Sequence, residues 1–397
     1  MSLRTVAHWY QFRLRTLFIV VTLLAIPLAW ISYRLELARQ ERATAAWIEG
    51  QEGLVRWFED ERDKSPQSRS WLDRWFGPSV REAYFQADAG SDLSRLTELR
   101  NLRKLGLSGE SDIDLSPLSR LKDLEHLSLY LTPVTDISSL AALSHLKYLA
   151  LGETSVTDLS AVAELEDLEE LHLHNVQVTD LSPLSRLDKL RVLDFSGMPA
   201  RSISSLSELK NLETLYLDGS LVTDLSPLAG FPRMLHLSLD NTPVSDLSPL
   251  AGLKSLRSLS LDNTPVSDLS PIAGLKSLRS LYLDNTPVSD LSPLADLTGL
   301  EELFLIDIRL CYLSALAPLV NLEELMPNHS QVTDLSPLAG LKQLEKLHLT
   351  GRRIEDLSSL RALGSLDTLE LEKTGVSDEQ VYDLSDALQD CTFFYDD

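Results

Sequence analysis

Residues 246–267 and 268–289 are one 22-residue unit written twice. DLSPLAGLKSLRSLSLDNTPVS is followed by DLSPIAGLKSLRSLYLDNTPVS, with changes only at Leu250/Ile272 and Ser260/Tyr282. A unit this short cannot enclose its own leucines; only stacking on copies of itself buries them. Within it, Leu281-Tyr282-Leu283 alternates as a strand does, two leucines inward and one residue outward. Asp284-Asn285 then leaves the strand with side chains that bond locally to turn backbone. Leu291, Leu294, Leu297 and Leu300 recur every three residues around Pro293. That is the period of a 3₁₀ segment, in which i and i+3 share a face. Each copy is predicted to be a flat coil of strand, turn and tight return.

The spacing Leu278-x-x-Leu281-x-Leu283-x-x-Thr286-x-Val288 resembles the leucine-rich repeat pattern LxxLxLxxNxL, with Thr where that pattern usually carries Asn or Cys. The Asp-Leu-Ser-Pro-Leu-Ala-Gly-Leu of residues 246–253 is similar to the internalin-like class of bacterial leucine-rich repeat proteins. The resemblance implies an α/β solenoid, with a parallel sheet on its concave face and 3₁₀-like returns behind. It also implies an interaction module, and it supplies no partner. Repeats begin at Leu93, Leu115, Ile137, Leu159, Leu181, Ile203 and Leu225, and continue at Leu247, Leu269, Leu291, Leu313, Leu335 and Leu357. The expected organisation is a tail over 1–16, a membrane helix over 17–33 and a juxtamembrane helix with N-terminal cap over 34–92. Thirteen repeats follow over 93–378, then a C-terminal cap over 379–397.

Residues 17–33, LFIVVTLLAIPLAWISY, carry no charge and lie between Arg15 and Arg34. Seventeen residues is the short end of a membrane span, and flanking arginines can snorkel. Trp9, Tyr10, Trp30 and Tyr33 stand where interfacial aromatics belong. A cleaved signal peptide would need its small-x-small site at Ala43-Thr44-Ala45, too far beyond the charged stretch 34–42. An uncleaved transmembrane anchor is therefore expected. Arg4, Arg13 and Arg15 before the run balance Arg34, Arg39 and Arg42 after it, so the positive-inside rule gives no direction. The short tail and the signal-like order place the N-terminus inside and the solenoid on the extracytoplasmic side. Further on, Trp71, Trp75 and Phe76 are expected to plug the open end of the solenoid core.

Charge narrows the partners. Residues 1–81 carry +3 and residues 82–397 carry −26 of the formal −23. So acidic a domain repels phosphate backbones, which excludes nucleic acid as the expected partner. The two cysteines, Cys311 and Cys391, lie more than three repeats apart and make no disulfide framework. There is no GxxxxGK[ST], HExxH, CxxC or GxSxG, so no enzymatic activity is expected. His172 and His174 share a face with His126 two strands away, short of the four close ligands of a structural zinc site.

The outward strand residues begin small, at Gly106, Ser128 and Ala150, and become large at Tyr282, Phe304 and Met326. Aromatics and Met are enriched in interface cores, although single exposed aromatics need no explanation. The register also breaks here, with Ile306 and Tyr312 where neighbouring repeats have Asp, and Met326-Pro327 where a strand leucine belongs. Such a break marks function or drift. Tyr282, Phe304, Ile306, Ile308, Tyr312 and Met326 are the candidate partner-binding residues. Asp218, Asp240, Asp262 and Asp284 form a ladder that is either turn chemistry copied with the repeat or a row for a cation such as Ca²⁺. The Asp opening most repeats, such as Asp246 and Asp268, is expected to cap the return segment. The reading is a membrane-anchored, monomeric solenoid that binds another protein or surface macromolecule without a cofactor. The rival is a structural envelope spacer with no specific ligand.

Overall fold

The computed structural model describes residues 3–57, 79–88, 90–310, 312–328, 332–350, 354 and 356–395, with the side chains of residues 3–16, Ile19, Val20 and Leu23 excepted. A long helix, α1 (Leu3–Gly50), leads into β1 (Leu54–Trp57) and β2 (Val80–Gln86). Strands then recur as β3 (Lys104–Ser108), β4 (His126–Ser128), β5 (Tyr148–Ala150), β6 (Glu170–His172) and β7 (Val192–Asp194). They continue as β8 (Thr214–Tyr216), β9 (His236–Ser238), β10 (Ser258–Ser260), β11 (Ser280–Tyr282), β12 (Glu302–Phe304), β13 (Glu324–Met326) and β14 (Lys346–His348). After β15 (Thr368–Leu371) come helix α2 (Asp378–Ser385) and β16 (Thr392–Tyr395). Among the described residues these strands form one sixteen-stranded sheet in sequence order. Only the β1–β2 pair is antiparallel.

The sequence period explains each part of the coil. Leu259, Leu281 and Leu303 face one another in register and are fully buried, as the alternation requires. After the strand the chain turns through a left-handed residue, with φ of 57°, 57° and 54° at Asn241, Asn263 and Asn285. Asn tolerates that conformation, and Gly219 and Gly197, one and two repeats before Asn241, meet the same demand without a Cβ. Thr286 is buried one step on, its hydroxyl donating to the Leu283 carbonyl at 2.7 Å. It does there the backbone-satisfying work for which the pattern usually carries Asn. The opening Asp caps the return: Asp268 Oδ1 accepts the Ser270 N–H at 2.8 Å and Oδ2 accepts its hydroxyl at 2.9 Å. The same pair of bonds from Ser292 holds the Asp290 carboxyl below the usual carboxylate range. Where the series has Ser202 instead, its hydroxyl takes over and accepts the Ser204 N–H at 3.3 Å.

The N-terminal end of the core is closed by α1. Ala45 and Ile48 are buried among the solenoid leucines, and the Trp47 ring stands edge-on to Phe85 at 5.3 Å. Glu41 Oε1 accepts the Val80 N–H at 2.7 Å, tying the helix to the first parallel strand. Trp71, Trp75 and Phe76, the expected plug, lie outside the described residues. At the other end Ser377 and Gln380 cap α2 reciprocally, and Val381, Leu384 and Leu388 cover the last leucines.

The expected membrane span requires correction. Among the described residues no helix is long and apolar enough to cross a membrane. The physical reason lies in its length. Residues 17–33 make roughly 26 Å of helix at 1.5 Å per residue, against about 30 Å of hydrocarbon core. Beyond them α1 continues unbroken through Arg34, Glu36 and Arg39. Three side chains of the run, at Ile19, Val20 and Leu23, are outside the description.

These contacts divide α1 into a part the solenoid needs and a part it does not. Deleting residues 1–32 is expected to leave the thermal unfolding midpoint of the solenoid within a few degrees. Ile48→Ala should destabilise the N-terminal end by about 2–5 kcal/mol. Circular dichroism melts of both variants, in detergent, check the division.

Candidate interaction face

The sheet arranges the outward strand side chains in columns, because parallel strands in register place every 22nd residue side by side. Tyr282 and Phe304 are neighbours in one column, with ring centroids 4.8 Å apart and planes 20° from parallel. Met326 follows Phe304 in register, and Tyr216 stands three strands before Tyr282. The Tyr282 hydroxyl donates to Glu302 Oε2 at 3.0 Å, and burial together with that carboxylate pushes the phenol up to about 12. Ile306 lies beside this pair, half-buried. The sheet therefore assembles Tyr282, Phe304, Ile306 and Met326.

Two of the six candidates are not part of that assembly. Ile308 is 1% exposed and belongs to the core. It occupies the register position of Thr264 and Thr286, which point inward, so its apolar side chain replaces a buried threonine. Tyr312 is 79% exposed but takes the register position of Asp290 and Asp334, at the head of the return segment. The register break itself has a backbone consequence. Leu261, Leu283 and Leu305 each donate an N–H to the following strand, at 3.0, 3.1 and 2.9 Å. Pro327 stands at the next such position and has no N–H to give. The β13–β14 pairing accordingly keeps Glu324↔Lys346 and Leu325↔Leu347 and ends there.

The Asp ladder is built into this face. Asp218 Oδ1 accepts the Asp240 N–H at 2.9 Å, Asp240 Oδ1 that of Asp262 at 2.8 Å, and Asp262 Oδ1 that of Asp284 at 2.7 Å. Asp284 Oδ1 closes the series on the Ile306 N–H at 2.7 Å. Ser238 and Ser260 add hydroxyl bonds to Asp218 and Asp240. Each carboxyl thus satisfies a main-chain donor of the next repeat, and the ladder stops where Ile306 offers no acceptor. Burial pushes the Asp218 and Asp284 carboxyls upward. Asp262, half-buried and with Asp240 and Asp284 on either side, is pushed up to about 7. Among the described residues no group of three or more His, Cys, Asp or Glu is placed to hold a metal ion. The ladder's inner oxygens are committed to backbone, which accounts for the aspartates without Ca²⁺.

A second ring cluster lies towards the N-terminal end, and reading single repeats passed over most of it. Tyr148 lies between His126 at 5.6 Å and His172 at 5.2 Å, and Tyr130 meets His174 at 5.2 Å. Asp194 faces both histidines, 3.7 Å from His172 Nδ1 and 3.4 Å from His174 Nδ1. Burial alone would raise its carboxyl, but bonds from His172 and from Ser196 bring it down to about 2. Comparing residues 22 apart would have revealed the cluster. Tyr148 and His126 are such a pair, adjacent in the flanking column.

A parallel sheet of 22-residue coils with 3₁₀ returns is the leucine-rich repeat fold, and this chain has it. A family model of leucine-rich repeats in two copies matches residues 232–274. Among solved structures, an internalin from Listeria monocytogenes is similar at 29% identity and TM-score 0.67, over 72% of this chain and 86% of that one. A leucine-rich repeat protein of Leptospira interrogans shares the fold at 20% identity and TM-score 0.72, over 79% and 89%. A plant peptide hormone receptor, solved in complex with RGF2, shares it at 15% identity and TM-score 0.55, over 76% and 60%. No curated protein matches the sequence.

The raised Asp262 carboxyl fixes the sign of a pH effect. The folded state holds this proton more tightly than the unfolded chain, so the stabilisation is complete below about pH 4, the ordinary carboxyl value. It is lost as pH rises through about 7. The wild-type melting midpoint should therefore fall between pH 5 and pH 8 by more than that of Asp262→Asn, which has no proton to lose. Parallel slopes for the two proteins in calorimetry would show that Asp262 does not carry the effect.

Proposed function

We propose that this leucine-rich repeat protein is an interaction module that binds another protein or surface macromolecule through the concave sheet, centred on Tyr282, Phe304, Ile306 and Met326. The observation that carries the reading is the stacked Tyr282–Phe304 pair, extended by Met326, on a solvent-facing sheet. Large ring and thioether side chains on a rigid face are what interface cores are made of. Support also comes from a structural neighbour, the plant peptide hormone receptor solved in complex with RGF2. Nothing in the face assembles a catalytic group.

The proposal extends to location: the solenoid is held at a membrane by residues 17–33 and faces the extracytoplasmic side. What supports it is the uncharged run itself and the exposure of its described large side chains. Leu17, Phe18, Leu24, Ile26 and Leu28 each leave more than half of their surface uncovered. So much contiguous apolar surface on one helix calls for a lipid or protein cover.

Two measurements test these readings. Detergent-solubilised full-length protein and its Phe304→Ala/Ile306→Asp variant are used as bait in parallel. Proteins retained by the wild type should be lost at least tenfold from the variant, since one buried large side chain is worth roughly 1.5–3 kcal/mol. Val320→Ala, on a return segment, is the control and should retain them. Equal retention by all three baits rules out this face. For location, the full-length chain should sediment with membranes after an alkaline wash, and protease added to the outer face should reach the solenoid. Release of the wild type by the wash would refute the attachment, and labelling only after the membrane is opened would reverse the orientation.

A further inference from the structure

Along β8–β13 the middle column of the sheet reads Tyr216, Ser238, Ser260, Tyr282, Phe304, Met326. Two serines therefore separate two tyrosine rings by three strand spacings, roughly 14 Å. One flank of this gap is the carboxylate row of Asp218, Asp240, Asp262 and Asp284; the other adds Glu302 and Glu324 further along. Along β8–β13 no Lys or Arg stands in these columns; Lys346, which follows Glu324 in register on β14, is paired with that carboxylate at 3.2 Å. Nearest the gap are Arg257 and Arg279 at the strand entries, and Arg279 is paired with Glu301 at 3.0 Å. His236 is the one other titratable side chain on β9. The inner oxygen of each ladder carboxyl is occupied by backbone. Among the described residues no hydrogen bond or ion pair reaches Oδ2 of Asp240 or Asp262.

We propose that this six-strand segment of the sheet binds an extended cationic polypeptide, with an arginine side chain lying over Ser238 and Ser260 between the Tyr216 and Tyr282 rings and pairing with Asp240 and Asp262. The inference rests on the sheet being an interaction face and names the partner's chemistry. Charge complementarity selects a cation, because four stacked carboxylates repel one another until one neutralises them. The gap selects guanidinium over ammonium. A planar fork meets two carboxylates and stacks against an aromatic ring, whereas a lysine is a hydrated point charge. The ladder does not form a metal cage, since among the described residues no three His, Cys, Asp or Glu side chains converge as ligands and each inner oxygen is spent on backbone. From β8 to β13 is five strand spacings, roughly 24 Å, the reach of about seven extended residues, so the segment is a stretch of chain and not a single side chain.

The experiment uses the full-length protein in detergent and fluorescence anisotropy of labelled peptides. One alternates Arg and Ser, a second Lys and Ser, and a third Glu and Ser. The Arg peptide is expected to bind saturably, the Lys peptide several-fold more weakly and the Glu peptide not at all. Asp240→Asn with Asp262→Asn keeps an oxygen for each backbone N–H and should weaken the Arg peptide about tenfold or more. Ser260→Leu fills the gap while leaving every carboxylate in place, and should cause a comparable loss if the Asn pair fails to fold. Glu164→Gln with Glu166→Gln makes the same charge change on an exposed return segment, and should leave affinity within about twofold. Equal weakening by the two charge-matched pairs would reduce the binding to net charge and overturn the proposal, as would equal affinity for Arg and Lys peptides. If no peptide binds while Phe304→Ala/Ile306→Asp still loses captured proteins, the cationic partner is wrong and the interaction face stands. If the Arg peptide binds as expected while that variant loses nothing, the face is displaced to the gap itself.

Discussion

Every feature of this molecule depends on the stacking of inward leucines between successive coils. One coil exposes its leucines above and below, so its stability is supplied by its two neighbours. Leu259 is buried because Leu237 and Leu281 flank it in register, and the same holds at each step. The ends have a neighbour on one side only. At the N-terminal end the missing coil is replaced by the last turns of α1, with Ala45 and Ile48 in the place of strand leucines. The helix thus has two unlike halves, one part of the solenoid and one presenting uncovered apolar surface.

The stacking also fixes what the surface can be. Parallel strands in register turn a 22-residue sequence period into columns, so substitutions far apart in the chain become neighbours in space. Tyr282 and Phe304 stack for that reason, as do His126 and Tyr148. A column also concentrates charge. Copying one turn-forming aspartate from repeat to repeat produces a row of carboxylates that no isolated turn would contain. The row is tolerated because each carboxyl accepts the next strand's N–H, and the opposing cost appears as the upward displacement of Asp218, Asp262 and Asp284.

How much of this was legible in the sequence follows from the same geometry. The coil was, because its period is repeated and its leucines alternate; so was the capping by the opening aspartates, which is local. The face was legible only in part. Tyr282, Phe304, Ile306 and Met326 were found from their departure from the repeat, and they do meet on the sheet. Ile308 was misplaced because an apolar residue replacing Thr was read as exposure, when the replaced threonine itself points inward. Of the ring cluster around Tyr148 only the histidines were singled out, because its members differ in type and lie in three columns. The uncharged run of residues 17–33 was read as a span although it lies at the short end of spanning length, and among the described residues no helix is long and apolar enough to cross a membrane.

The irregular coil joins these strands of argument. Ile306 ends the carboxylate ladder two residues after Phe304, and Pro327 ends the strand pairing one repeat later, next to Phe304's register partner Met326. At that point the columns of Ser260 and Asp262 change from hydroxylated and acidic to apolar within the width of two strands, while Glu302 and Glu324 remain on the opposite flank. A partner lying across β8–β13 would therefore meet two chemistries in sequence, carboxylates flanking small side chains and then a ring-and-thioether patch. Such an arrangement fixes direction as well as position. A segment bound in reverse would set its apolar residues on the carboxylates and its charges on Phe304 and Met326, losing both sets of contacts. Drift within one repeat would explain either break, but orientation is a property of the two breaks together with the regular repeats that precede them.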